Sequence, residues 1–424
     1  MRLDLIQRVK LVFSMNDLKD AVKELDDAAS ALDRFTRILL WNRRMVEGKS
    51  SKNAVKLAKG LRHVRKFARS LSLAIFQAWR TGCHSKHEAR LFLEDRVNTV
   101  PEILKQIGKV SAVPILSFQL IFAADINQEQ KLWHETVVQV FNDDSTDHSK
   151  PSILSQNSGS SSVTLATTKS ASSLVKAEIT SVGDICGTIE EAKCSKREIV
   201  FALVGNQQMG TILTEKKTLI QCQQAGKTTL KALLLSANSR RHGPIIPWKF
   251  RMVLALRLAS NLLQLLQTQW LQSTWSKDMV YFQLQPTNSG AQNPLRVDFG
   301  RLPFVSLTFD DRTRSTQPER SVEPKMALLE LGILLLEVWH EITLETRFSL
   351  EDAPSGYYQR LALAVEWLDD TDNPLPDLYD RAVSYCIQQL VSEAHFPDWE
   401  DTKLWATVCA EVIEPLSEIC RQWR

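Results

Sequence analysis

Three short stretches of the sequence contain side chains of the types that perform phosphate or metal chemistry. The tripeptide Asp298-Phe299-Gly300 offers a carboxylate that could hold the magnesium ion of a bound nucleotide. The segment AGKTT at residues 225–229 ends like a phosphate-binding loop. Cys83, His84 and His87 are of the types that ligate zinc. Each stretch also has a purely structural interpretation, so the neighbouring sequence must decide between the two.

The phosphate-binding interpretation of residues 225–229 lacks an essential glycine. The motif needs a glycine five residues before Gly226, where this chain has Gln221. Without that glycine the backbone cannot curl around a phosphate. We therefore expect a turn followed by a helix whose first residues are capped by Thr228 or Thr229.

The metal-binding interpretation lacks a ligand. Cys83, His84 and His87 cluster in the sequence, and His63 lies upstream, but zinc normally takes four ligands at defined spacings. The fourth is not evident, and a polar turn with capping histidines explains the cluster equally well. Asp298 likewise has a structural alternative, a strand end with a capping aspartate and a turn glycine. We expect no metal site, no cofactor and no catalytic residue, and keep Asp298 as a weak candidate for nucleotide binding.

The elements that must position these residues begin with two predicted helices. Apolar residues recur every three or four positions over 17–40 and again over 52–80. The short break between them predicts an antiparallel helical hairpin. Three strands are expected at 89–95, 115–122 and 133–141, and two more at 198–204 and 209–213. The polar, serine-rich stretch 142–176 predicts a disordered linker or long loop.

The second half of the sequence is mainly helical. A strand at 279–284 and a short segment at 295–299 interrupt a run of apolar helices. The tryptophans at helical spacing there are expected to be core residues. We also expect a short helix within 179–192. The remaining helices are predicted at 247–267, 325–340, 355–369, 376–391 and 402–422.

Composition and charge restrict the class of protein more than they identify a partner. The 424 residues are 44% hydrophobic and 24% charged, which is typical of globular domains. Seven scattered cysteines without a CxxC pair favour reduced thiols. No apolar stretch is long enough for a transmembrane segment, and the N-terminus has no signal-peptide core. We expect a cytoplasmic protein that does not bind nucleic acid.

The overall net charge of +3 conceals a basic beginning and an acidic end. Residues 43–69 contain a basic face that could bind anionic lipid. A solvated helix face, or docking onto the acidic C-terminal region, explains the same pattern. The basic residues concerned are Arg43, Arg44, Lys52, Lys56, Lys59, Arg62 and Lys66.

Four segments in a fixed order carry a resemblance to a known family. They are residues 73–93, residues 257–282 without the short interval 272–274, residues 329–339 and residues 379–387. Together they resemble an uncharacterised filamentous-fungal family known only as a domain of unknown function. The resemblance implies a helical N-terminal part and a C-terminal half like a degenerate protein kinase. Related chains often carry a HeLo-type N-terminal domain linked to fungal incompatibility and cell death.

The order of elements also looks like that of a kinase, with residues 224–235 as the hinge and the helix after it. The parts needed for phosphoryl transfer are mostly missing. There is no GxGxxG near 84–125, no lysine in the strand predicted at 134–141 and no HRD in 266–282. Asp278 lies where a catalytic loop would end, but no asparagine follows at the required distance.

We therefore predict an α+β protein. Its expected regions are a helical hairpin at 1–82, a small β-rich lobe at 83–235 and a helical lobe at 236–424. The favoured function is a non-catalytic, pseudokinase-like interaction or signalling module with an unidentified protein partner. The alternatives are an atypical phosphotransferase that uses Asp298, and peripheral membrane binding through the basic helix 43–69.

Overall fold

A computed structural model describes most of the chain beyond Ser50, which forms one of two compact units, Met1–Ser50 and Ser51–Arg424. The helix predicted at 17–40 lies outside the described residues apart from four helical positions between Lys19 and Leu25, so the hairpin stays a prediction. The serine-rich stretch 142–176, Arg43 and Arg44 also lie outside. The described ranges are 51–79, 83–84, 86–109, 113–127, 130–141, 179–195, 197–204, 208–214, 226–238, 246–285, 297–309, 322–350, 356–370, 373–388 and 398–422.

The predicted helix at 52–80 is confirmed as α1, Lys52–Ala78. Ser51 caps it, since the hydroxyl of Ser51 accepts a hydrogen bond from the backbone N–H of Ala54 at 3.0 Å. The three-four spacing of small and branched apolar residues gives one continuous buried face, in which Leu61, Val64 and Leu71 have no exposed surface. That face packs against helices from the C-terminal half of the chain.

The strands form a single mixed sheet of nine strands, in the order β4-β6-β5-β3-β2-β1-β9-β8-β7. Neighbouring strands run antiparallel, except that β3 and β5 are parallel. The sheet joins strands from both predicted lobes. The strands are β1 His87–Phe92, β2 Leu116–Asn127, β3 Gln130–Phe141, β4 Thr180–Ser181, β5 Glu198–Val204, β6 Gln208–Thr214, β7 Lys227–Thr229, β8 Tyr281–Gln283 and β9 Phe304–Phe309.

Five strands predicted from alternation are confirmed as β1, β2, β3, β5 and β6, with ends that differ by a few residues. The strand β3 begins at Gln130, three residues before its predicted start, and so contains Lys131, opposite Asp125 in the hairpin. The prediction that this strand contains no lysine holds for residues 134–141 and is wrong for the full length of β3. The strand β9 and the seven-residue helix α2, Val100–Gln106, were not predicted.

The predicted helices of the second half are also confirmed, whereas the four-residue helix Leu344–Arg347 was not predicted. The helix expected within 179–192 is α3, Ile185–Ser195, and residues 180–181 before it are strand. The others, in chain order, are α4 Leu230–Asn238, α5 Trp248–Leu265, α6 Pro324–His340, α7 Leu344–Arg347, α8 Tyr357–Leu368, α9 Asp377–Gln388, α10 Thr402–Val408 and α11 Glu414–Gln422.

The predicted helix 402–422 is continuous but contains a π-helical turn, Cys409–Ile413, between α10 and α11. Pro415 lies two residues after that turn and cannot donate the usual hydrogen bond to Glu411, which explains why the helix widens there. The tryptophans of the helical half are core residues, as expected: Trp270, Trp275, Trp339, Trp367 and Trp405 are all at most 7% exposed, although Trp270 and Trp275 lie after the end of α5. In the part of the chain that is described, no helix combines the length and apolar character needed to span a membrane.

Candidate functional site

Asp298 lies directly after a β-bridge between Leu284 and Val297. Its backbone N–H donates to the carbonyl of Gln283 at 2.9 Å. The carboxylate of Asp298 accepts a hydrogen bond from the backbone N–H of Gly300 at 3.0 Å. The tripeptide therefore follows the short strand β8, as the kinase-like order predicts, and its carboxylate stabilises a local turn.

The strand that follows this turn, β9, is hydrogen-bonded to β1 within the nine-stranded sheet. β9 pairs antiparallel with β1 over six residue pairs, from His87 opposite Phe309 to Phe92 opposite Phe304. The ring of Phe92 lies edge-on to that of Phe304 with centroids 6.0 Å apart. The two segments that would border a nucleotide cleft are thus adjacent strands, which in a sheet lie about 4.8 Å apart.

A largely buried carboxylate, that of Glu88, accepts hydrogen bonds from side chains of β1, β7 and β9. One oxygen of Glu88 accepts from Arg90 at 2.9 Å, Lys227 at 2.6 Å and Ser306 at 2.5 Å. Burial alone would raise the pKa of Glu88, but hydrogen bonds and positive charge from these neighbours lower it to about 2. Lys227 also lies over the ring of Tyr281, at 4.7 Å from its centroid. The lysine of the AGKTT segment is therefore part of this charge cluster.

The AGKTT segment is followed by a helix, as expected, but Lys227–Thr229 form the strand β7 where a turn was predicted. The hydroxyl of Thr229 accepts a hydrogen bond from the backbone N–H of Ala232 at 3.1 Å, at the start of α4. Thr229 therefore caps the helix, one of the two predicted possibilities.

The other cations near this region also face carboxylates. Arg301, just after the DFG-like turn, pairs with Glu135 of β3 at 2.9 Å. Lys277, in the segment where a catalytic loop would lie, donates to Glu337 at 2.6 Å and to Glu345 at 2.7 Å. Among the described side chains, no lysine or arginine forms an ion pair with Asp298.

The cysteine–histidine cluster is more complete than the sequence indicates. Cys83, His84 and His87 lie together, and Cys186 from the beginning of α3 joins them. His63 is not a member of this group. No local pattern connects Cys186 to residues 83–87, so the missing ligand could not be found from spacing.

The basic face of α1 is divided between two environments. Arg62 donates to the backbone carbonyl of Glu400 at 3.0 Å, and its guanidinium lies 5.4 Å from the centroid of the Trp405 ring. Part of this face therefore docks onto the acidic C-terminal region, one of the structural alternatives. Four other basic side chains of the predicted set remain exposed, namely Lys52, Lys56, Lys59 and Lys66.

The described part of residues 51–424 is thus a mixed α+β domain whose sheet extends through both halves of the chain. Within it, the family described as Domain of unknown function (DUF7580) matches residues 58–423. Because this match covers most of the sequence, the chain belongs to that family. No curated protein and no solved structure matches this chain.

Proposed function

We propose that this protein is a non-catalytic, pseudokinase-like interaction module. The pairing of β1 with β9 is the observation that carries the proposal. A protein kinase holds a nucleotide between its small sheet and the segment that begins with DFG. Here the strand after Asp298-Phe299-Gly300, β9, is hydrogen-bonded to β1. That arrangement leaves no gap between β1 and β9 for a nucleotide.

The charges around the DFG-like turn support the same conclusion. Phosphoryl transfer depends on cations that neutralise the phosphates and on a carboxylate that holds magnesium. Lys227, Lys277 and Arg301 each donate to glutamate side chains within the fold. Releasing any of these cations toward a nucleotide would leave a partly or fully buried carboxylate without its partner, which is costly.

The resemblance to the fungal family suggests where such a module works. We place it in the cytoplasm of a filamentous fungus, in signalling that depends on binding a protein partner. The acidic C-terminal helices and the basic face of α1 offer charged surfaces, which favour fast and selective association with partners of opposite charge.

A thermal-shift titration of the full chain with ATP and magnesium tests the proposal. We expect the melting temperature to be unchanged at millimolar nucleotide, because a ligand that binds only the native state would raise it. The rival hypothesis, an atypical phosphotransferase, predicts an increase that Asp298→Ala abolishes. The matched control is Asp278→Ala, since Asp278 is an exposed aspartate of the preceding loop and pairs with Lys231 at 3.3 Å. An increase that Asp298→Ala removes and Asp278→Ala keeps would refute the non-catalytic proposal.

The exposed lysines of α1 favour a second candidate function, peripheral binding to an anionic membrane. Lys52, Lys56, Lys59 and Lys66 are spaced one or two helical turns apart and are exposed to solvent. Each could contribute about 1 kcal/mol near a surface of anionic lipid. Flotation with phosphatidylserine vesicles at low salt tests this function. Binding that disappears when all four lysines become glutamine supports it, and absence of binding by the unchanged chain ends it.

A further inference from the structure

We propose that Cys83, His84, His87 and Cys186 bind one zinc ion that fastens α3 to the beginning of β1. The four side chains each offer one ligand atom, and these atoms all lie within 4.8 Å of one another. Two thiols and two imidazoles form one of the standard ligand sets of structural zinc sites. This site is separate from the DFG-like turn and does not depend on the proposed function.

The spacing of the ligand atoms is close to that of a tetrahedral site. Zinc–sulfur bonds of about 2.3 Å and zinc–nitrogen bonds of about 2.0–2.1 Å place tetrahedral ligand atoms about 3.3–3.8 Å apart. The sulfur of Cys83 is 3.1 Å from Nε2 of His87. The largest separation in the group exceeds the tetrahedral value by only about 1 Å, a distance that small side-chain rotations supply.

The surrounding structure orients the two histidines. The ring of His87 stacks on that of Trp79 with centroids 5.0 Å apart and is edge-on to that of His84 at 5.5 Å. Nδ1 of His84 is buried and has no hydrogen-bond partner, although buried polar atoms rarely remain unsatisfied. A metal ion among the four side chains explains why a nitrogen atom in this position has no other partner.

Cys186 completes a set of two sulfur and two imidazole donors. Mixed sulfur and imidazole ligands in a tetrahedral arrangement favour zinc over magnesium or calcium.

The location of the ligands assigns the ion a structural role. His87 is the first residue of β1, which pairs with both β2 and β9. Cys186 is the second residue of α3, which precedes β5 in the chain. In the sheet, β3 and β2 lie between β5 and β1. All four positions are occupied by protein atoms, and a closed set of four ligands is typical of structural rather than catalytic zinc. The ion would therefore connect two segments that are far apart in the sequence.

The test measures metal content and spectra on the full chain, produced with added zinc and purified without chelator or affinity tag. We expect inductively coupled plasma mass spectrometry to find one zinc ion per chain. Cobalt exchange should give the visible bands of a tetrahedral ion together with a thiolate charge-transfer band. Cys186→Ser should lose the ion, whereas Cys194→Ser, which changes an exposed cysteine of the same helix, should keep it.

Because Cys186→Ser could also fail to fold, His84→Gln serves as a second variant at a less buried ligand. It should weaken zinc binding and remove the tetrahedral cobalt bands while the far-ultraviolet circular dichroism is retained. The proposal is overturned if folded wild-type chain takes up neither zinc nor cobalt. It is also overturned if Cys194→Ser loses the ion as completely as Cys186→Ser, or if the purified chain contains a Cys83–Cys186 disulfide in place of the metal.

Discussion

Removing the ammonium group of Lys277 should destabilise the protein strongly without affecting any exposed surface. Lys277 donates to Glu337 at 2.6 Å and to Glu345 at 2.7 Å, and the side chain of Glu337 is only 2% exposed. The two carboxylates raise the pKa of Lys277 despite its burial, so this lysine is charged at neutral pH. In Lys277→Met, the buried Glu337 loses its counter-ion. The measured cost of breaking such a buried pair is about 3–5 kcal/mol.

The charge state of Glu337 makes this loss depend on pH. Burial raises the pKa of Glu337 even in the wild type, and without Lys277 that pKa must rise further. A carboxyl group with a raised folded-state pKa binds its proton more readily in the folded state. The variant should therefore recover stability as the pH falls from neutral toward the ordinary glutamate pKa of about 4.3. The double variant Lys277→Met/Glu337→Gln should regain a large part of the loss at neutral pH, because the amide oxygen can still accept from the N–H of Leu344.

Urea unfolding followed by tryptophan fluorescence measures these differences, since the chain has eleven tryptophans. The matched control is Lys231→Met, which removes a lysine 3.3 Å from Asp278 in a pair whose side chains are 45% and 56% exposed. Such surface pairs contribute about 0–1 kcal/mol. Equal losses in Lys277→Met and Lys231→Met would show that the buried pair is not intact in solution. A loss in Lys277→Met that does not change with pH would refute the assigned role of Glu337.

Two further perturbations test the packing and the acid stability. Gly332→Ala should cost about 1–3 kcal/mol in urea unfolding, because the added Cβ would lie 2.8 Å from Cγ1 of Ile387 and 3.0 Å from Cβ of Cys386; Gly356→Ala, where the new Cβ meets only an ordinary contact, should change little. Burial and then the positive charge of a neighbouring lysine lower the pKa of His134 to about 4. The contribution of His134 to the free energy of unfolding is therefore fully present above pH 6.5. It falls by up to about 3 kcal/mol as the pH falls toward 4. An unfolding free energy with the same pH dependence in His134→Gln as in the wild type would contradict this.

Local periodicity was sufficient to predict most elements of the fold. The three-four spacing between Ala54 and Ala78 predicts α1 because each turn of the helix buries the same face. Alternation predicts β2 and β5 for the analogous reason, since every second residue of a strand faces the same side. The short helix α2 escaped detection because only Val100 and Ile103 of its seven residues are buried, which is too few to establish a period.

The strand β9 could have been found and was not. Its sequence, Phe304-Val-Ser-Leu-Thr-Phe, is rich in the β-branched and aromatic residues typical of strands. The prediction placed a turn at Asp298 and then continued to the helix at 325–340. No pattern in the sequence, however, could show that this strand pairs with β1, because the pairing joins residues more than 200 positions apart.

The candidate site depends on such distant contacts almost entirely. Cys186 of α3 lies beside Cys83, and Glu337 of α6 accepts from Lys277, although each pair is far apart in the sequence. A single sequence contains no signal for these pairs, since neither residue type nor local spacing changes when a side chain acquires a distant partner. What the sequence could predict were the groups available for chemistry and the elements that carry them.

The same contacts explain why this chain contains fragments of phosphate-binding motifs. The carboxylate of Glu88 is largely buried, and a carboxylate in that position requires cations and hydroxyls around it. Lys227 satisfies this requirement, so a lysine after Gly226 has a structural reason to be there. Asp298 caps the turn that redirects the chain from the bridge with Leu284 into β9. In both motifs the charged side chain has a hydrogen-bond partner within the fold, and the resemblance to a nucleotide site requires no nucleotide to explain it.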